Sequence, residues 1–383
     1  DSSPEATAHF SRKQRAELMG RRESLRVGIP RALSMYSHAP LFRTYLEALG
    51  VRSSNIVFSG FTTHEMYAAA AGKGAIDPCF PSKVSAAHIH DLLKKSAHGE
   101  HLDVIFFPMI DAVETPLVNC VGNACPALTL TPEAVKAAFT TETDHFREQR
   151  ILYIDPLLDA SDRKLFSLQM FQSWKDILGL SADESDRAIS AAYKALEQFE
   201  NRMRNKTRAV LEMLERTGHL GIVFLGRPYH NDPGLNQGVP EEFQRRGYPI
   251  LCQAYLPTDE DILGRLFHDD VHACRIHNPL EILDVWKHPY SASTSQKFWA
   301  AKFVARHPNL IAIELSSFKC GHDAPAYTTL RSIVEDAGVP FFAFKDLDEN
   351  RPAASIKLRV ETIDYFLKRY RRGSEEKVRQ FSG

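Results

Sequence analysis

Six cysteines are spread over the 383 residues, and the stretches that hold four of them share a pattern. Cys79 stands between two prolines in Ile76-Asp77-Pro78-Cys79-Phe80-Pro81-Ser82-Lys83. Cys120 and Cys125 lie in Asn119-Cys120-Val121-Gly122-Asn123-Ala124-Cys125-Pro126, and Cys320 in Ser317-Phe318-Lys319-Cys320-Gly321-His322-Asp323. Each stretch follows an apolar, strand-like run and precedes residues that start helices. Proline suits a first helical position, where its missing N–H is not needed. Cys79 is therefore expected near the positive end of a helix beginning around Pro81, a setting that favours thiolate over thiol. Thiolates from distant loops read as ligands gathered at one inorganic centre. The Cys-x-x-Cys spacing frequent in zinc sites is missing from the sequence. An iron–sulfur cluster, also held by thiolates, is the leading reading, and a zinc-stabilised binding domain the third in rank after a non-catalytic electron-relay or regulatory module.

Not every cysteine or histidine carries the same argument. Cys79, Cys125 and Cys320 read as ligands, while Cys120 stands between a ligand and a structural part of its loop. Cys252, inside a strand-like run, and Cys274, beside His272 and His277, read as small buried hydrophobes. His88 and His90 fall two apart on one helix, hence on different faces, and read as satisfied or surface residues. His230, in a glycine-rich turn, and His322, two residues beyond Cys320, each follow a strand end. A hydrogen bond next to the metal ligands or a substrate contact suits them better than ligation. Lys83, Lys319 and Arg227 are placed to position an anionic substrate or to tune a cluster's potential, with a capping or solvent-facing role as the plain alternative.

The elements that must position these residues alternate between strand and helix. Strand-like runs at 25–30, 55–59 and 103–108 are interleaved with helical patterns at 41–49, after Thr62-Thr63, and from Pro81 to about Lys95, as in a parallel α/β sheet. In such sheets ligands bind beyond the carboxyl ends of the strands, where Cys120 and Cys125 fall. A largely helical stretch, 161–217, includes the capping-box pattern Ser181-Ala182-Asp183-Glu184, and its stripe of Phe199, Met203 and Met213 reads as core packing. Then Leu220-Gly221-Ile222-Val223-Phe224-Leu225 opens a second α/β unit, with the turn Gly226-Arg227-Pro228-Tyr229-His230-Asn231-Asp232-Pro233-Gly234 after it and further strands at 248–252, 310–315 and 340–344. The expected division is a tail or linker at 1–23, a first α/β domain at 24–160 with Cys79, Cys120 and Cys125, a helical connection at 161–217, a second α/β domain at 218–373 with Cys320, and a tail at 374–383.

A chain this long can bury a proper core in each of two domains without a metal or disulfide to hold it together. Its formal charge of −1 gives no overall drive toward nucleic acid or an anionic membrane. The basic run Lys368-Arg369-Tyr370-Arg371-Arg372 reads as a solvated helix end. No apolar run approaches a membrane span, and sparse cysteine with no apolar leader points to the cytoplasm. The first residue is not methionine, which fits a piece of a longer polypeptide.

Taken together, Val27-Gly28-Ile29-Pro30-Arg31-Ala32-Leu33 with Met35-Tyr36, the Cys79 stretch, Cys125-Pro126, Gly226 to Pro233, and Ser316 to Ala324 resemble the 2-hydroxyacyl-CoA dehydratase related superfamily over nearly everything from Leu25 to Leu367. The closer likeness is to the component fused behind, or encoded beside, an acyl-CoA dehydratase activase. The resemblance implies two Rossmann-like, flavodoxin-like parallel-sheet domains joined by a helical segment, with a cluster in the cleft between them. It implies an ATP-hydrolysing partner that carries its own iron–sulfur cluster and feeds electrons one at a time, and an acyl-CoA or other small substrate. It favours Cys79, Cys125 and Cys320 as ligands, with Cys120 the candidate fourth. Met109 stands where close relatives would carry another cysteine. A 4Fe-4S cluster is therefore expected rather than the double-cubane cluster of some members. Three thiolates would leave one iron open to substrate, whereas four would close the cluster and suit electron relay. No Gly-x-x-x-x-Gly-Lys loop is present in the sequence, so ATP use is assigned to a partner.

Overall fold

The computed structural model describes residues 10–70, 79–317, 319–347 and 353–381. Asp77 and Pro78 before the first cysteine, Phe318, and the lead-in Asp348-Glu349-Asn350 lie outside the described residues. The chain divides into two compact units, residues 1–114 with 124–199 and residues 115–123 with 200–383. Each is an α/β unit built on an all-parallel sheet of Rossmann-like type.

In the first unit β1 (Val27–Ile29), β2 (Ile56–Phe58), β3 (Val104–Phe106) and β5 (Leu152–Ile154) form a sheet in the order β2-β1-β3-β5. Two short strands, β4 (Met109–Val113) and β6 (Leu157–Ala160), pair with one another just beyond β3 and β5. The breaks fall at Pro108 and Pro156, since proline cannot donate to a ladder. The Met109 N–H nevertheless bonds the Pro156 carbonyl, so the two chains stay together across the break. Alternate residues point to opposite faces. Val104 and Phe106 pack with Phe42, Phe166 and Trp174 on one side, and Ile105 and Phe107 with Ile89 and Leu92 on the other. Both faces are therefore covered by helices, the condition under which purely parallel sheets persist.

The second unit repeats the plan. β7 (Gly221–Leu225), β8 (Ile250–Cys252), β9 (Leu310–Leu315) and β10 (Phe341–Phe344) lie in the order β8-β7-β9-β10. Val223 and Leu225 face Phe298 and Phe303, and Ile222 and Phe224 face Phe243 and Val360. Numbered by occurrence, the strands of both sheets run second, first, third, fourth. In each the order reverses beside the first strand, which is where the crevice of such a sheet opens.

Several boundaries differ from the sequence reading. Residues 12–21, inside the stretch expected as a tail, form a helix closed by a Ser11–Gln14 capping box. Arg22 then fixes it, donating to the Leu178 carbonyl at 2.7 Å and pairing with Glu184. The expected helical connection is shared out. Helix Arg163–Leu178 and the first half of helix Ala182–Thr217 pack into the first unit's core, while Leu211 and Leu214 pack into the second. A single helix, Ala353–Phe381, runs through the stretch expected to be tail from 374. Among the described residues no helix is long and apolar enough to cross a membrane.

Candidate functional site

The first unit places Cys79 and Cys125 in equivalent local settings. Cys79 is the N-cap of helix Phe80–Ala97, with extended backbone and Pro81 in the first turn, and its carbonyl accepts the N–H groups of Ser82 and Lys83. Cys125 is the N-cap of the short helix Pro126–Thr129, and its carbonyl accepts from Leu128 and Thr129 at 2.9 Å. The two helix starts lie side by side. Ser82 Oγ is 2.6 Å from Thr131 Oγ1, which donates in turn to the Ala127 carbonyl at 2.7 Å. Both sulfurs thus enter from N-cap positions, and at Cys79 the positive end of an 18-residue helix favours negative charge. Lys83 lies in that first turn, half-buried.

Beyond β1 and β2 the same unit holds Arg31. Its backbone N–H donates to Ser59 Oγ at 2.7 Å and its Nε to the Ser59 carbonyl, with the guanidinium over the rings of Phe58 and Phe61. Ser59 and Thr62 hold the two ring nitrogens of buried His88. His88 is accordingly a satisfied core histidine.

Cys120, expected with the first domain, packs instead in the second unit. Its segment is held by bonds from Val118 N–H to the Leu280 carbonyl and from Val121 N–H to the Pro289 carbonyl, and Asn123 bridges to Ser291. These contacts bring Cys120 beside Ser295, in the first turn of helix Ala292–Arg306. The loop of Cys320 reaches the same turn, because Thr294 Oγ1 lies 3.5 Å from the His322 carbonyl. The four candidate ligands therefore fall as two pairs, Cys79 with Cys125 and Cys120 with Cys320. Cys252 ends β8, with Asn231 beside its thiol, and Cys274 is exposed.

Around Cys320 lies a set of buried charges. Arg227, the second residue after β7, donates to Asp323 Oδ1 at 2.8 Å and to Thr294 Oγ1 at 3.2 Å. Lys297 Nζ bonds Asp323 Oδ2 at 2.9 Å and Glu314 Oε1 at 3.2 Å, and Ser316 Oγ donates to Asp323 as well. Lys297 and Glu314 are wholly buried. Against the cost of burial, Lys297 and Arg227 hold the Asp323 carboxyl well below the usual range. Burial raises the Glu314 carboxyl in spite of Lys297. Burial also pushes the Cys120 and Cys320 thiols up, with Arg227 acting the other way on Cys320. The upward shift favours the protonated thiol at both positions at neutral pH.

His230 closes the turn after β7. Its Nδ1 accepts the Arg227 N–H at 2.9 Å, which leaves the ring proton on Nε2. A Cβ on Gly226 would stand 3.0 Å from that Nδ1, a tight contact that a larger residue makes only if the His230 ring gives way by a few tenths of an ångström. Burial, with Lys297 adding to it, brings the imidazole down to about 3. His230 is thus a neutral, position-holding group. His322 is half-buried, stacked on Tyr290, and lowered by burial and by Arg227.

The sequence reading had no role for Lys297, Glu314, Asp323 or Thr294. A signal was available in two of them, since Glu314 interrupts the apolar run Leu310–Leu315 and Lys297 precedes Phe298-Trp299-Ala300-Ala301. A charge within a buried run needs a partner. Among the described residues, no group of three or more His, Cys, Asp or Glu side chains is gathered closely enough to hold a metal ion.

The family model described as "CoA enzyme activase uncharacterised domain" matches residues 26–256, more than half of the chain. No curated protein matches it.

Proposed function

From the premise that this chain belongs to the CoA enzyme activase uncharacterised-domain family, we propose that it receives single electrons on a 4Fe-4S cluster in a reductase or 2-hydroxyacyl-CoA dehydratase-like system. The proposed ligands are Cys79, Cys125, Cys120 and Cys320. The observation that carries this reading is the pairing of N-cap cysteines at adjoining helix starts in the first unit. A 4Fe-4S cluster takes up to four thiolates. When bound, the cluster supplies one-electron transfer at low potential. The partner is an ATP-hydrolysing activase with its own cluster, and the substrate an acyl-CoA or other small molecule. Lys83 and His322 are assigned to substrate contact or to hydrogen bonding beside the ligands. His230, held neutral, fixes the Arg227 turn. A double-cubane cluster is the alternative centre, and Met109 in place of a further thiol argues for the smaller one.

Anaerobic reconstitution with iron and sulfide tests the proposal. It predicts brown protein with about four irons per chain, and iron-free or zinc-only protein would overturn it. The family's description favours a second reading, in which the chain is part of the activase itself. Titration with ATP separates the two, because the second reading requires saturable nucleotide binding by this chain and the first requires none.

A further inference from the structure

The start of helix Ala292–Arg306 is met by polar groups from the loops after β7, β8 and β9, and several polar atoms of these loops and of the helix start have no bonding partner among the described residues. Arg227 uses Nη2 on Thr294 and Asp323, while its Nε has no partner among the described residues. Ser291, the N-cap, makes no side-chain capping bond, and its Oγ has no partner among the described residues. Ser295 Oγ has the Cys120 thiol beside it and no oxygen or nitrogen partner among the described residues. These three side chains are at most 5 % exposed. Ser291 and Ser295 belong to the first turn of this helix and Arg227 is bonded to it through Thr294. A buried donor left unmade is costly, so an acceptor shared at that turn would satisfy all three.

The donors are a guanidinium N–H and two hydroxyls, at the positive end of a 15-residue helix and beyond the carboxyl ends of three parallel strands. That combination recognises a small oxyanion. Asp323 does not fill the place, because its oxygens are engaged by Arg227 Nη2, Lys297 and Ser316. Gln253 Nε2 reaches the Ser293 carbonyl at 3.4 Å, and its Oε1 is without a partner among the described residues.

We infer that the second unit binds a small oxyanion, a carboxylate or a phosphate group, at the start of helix Ala292–Arg306 through Arg227 Nε, Ser291 Oγ and Ser295 Oγ. The site lies within one unit and stands whether or not the cysteines hold a cluster. Calorimetric titration of the full chain with sodium phosphate, and separately with sodium acetate, at constant ionic strength tests it on protein with and without iron. The expected result is saturable one-to-one binding of at least one anion, weakened about tenfold or more by Ser291→Ala and by Ser295→Ala, with melting temperatures showing that both variants fold. Phosphate binding assigns a phosphoryl group and acetate binding a carboxylate. If neither anion saturates, or if both alanine variants bind like the parent, the inference is overturned.

Discussion

The two units share a strand order and differ in what they place at its carboxyl edge. In the first unit the cysteines arrive at helix starts joined by neutral hydroxyls, Ser82 with Thr131. In the second, Cys320 sits over a buried set of Arg227, Lys297, Asp323 and Glu314. The same backbone plan thus presents sulfur in two electrical settings, one set by a helix end and one by fixed charges. An arginine follows the first strand in both, yet Arg31 lies over aromatic rings whereas Arg227 is bound to a carboxylate. The strand order positions the loops, and the side chains at the edge decide their chemistry.

This contrast predicts unequal responses to mutation. Asp323→Ala leaves two buried cations without their shared partner and should cost about 3–5 kcal/mol, read by urea denaturation. A loss below 1 kcal/mol would show that the charges are not mutually dependent. Acidification is expected to act on the second unit next. His230 titrates at about 3 when folded and at 6.5 when unfolded, so the unfolded chain takes up the proton first. The stability it contributes is complete above about pH 6.5 and falls as the pH drops toward 3, with a slope of at most about 1.4 kcal/mol per pH unit. His230→Asn keeps an acceptor for the Arg227 N–H and should flatten the profile between pH 4 and 6.5. The part due to His307, also lowered by burial, to about 4, would remain. An unchanged profile would remove His230 from the account. The smallest effect belongs to the first unit, where Ser82→Ala should cost about 1 kcal/mol, and a loss as large as that of Asp323→Ala would erase the contrast.

Much of this plan is visible in the residues. The runs at β1, β2, β3, β7, β8, β9 and β10 are apolar enough to stand out, and Cys79 and Cys125 sit at helix starts as their prolines indicate. The strands β4, β5 and β6 are not apparent, because Pro108 and Pro156 cut two ladders into pieces of three to five residues. Helix Arg12–Arg21 buries none of its residues, so it has no apolar stripe to read, and it depends on a cap and on Arg22 instead. The move of Cys120 to the second unit is a matter of tertiary pairing with residues 280–291, far along the chain. Local pattern carries no trace of such a pairing. The partners of Lys297, 17 and 26 residues away, are hidden for the same reason.

The central claim is that thiols of both pairs hold iron. Its most direct test is the iron content of anaerobically reconstituted Cys79→Ser and Cys320→Ser, with Cys274→Ser as the control for an exposed thiol outside both pairs. The account predicts that the first two lose most of the parent's iron and the control keeps about four atoms per chain. Full iron in either Cys79→Ser or Cys320→Ser would contradict it.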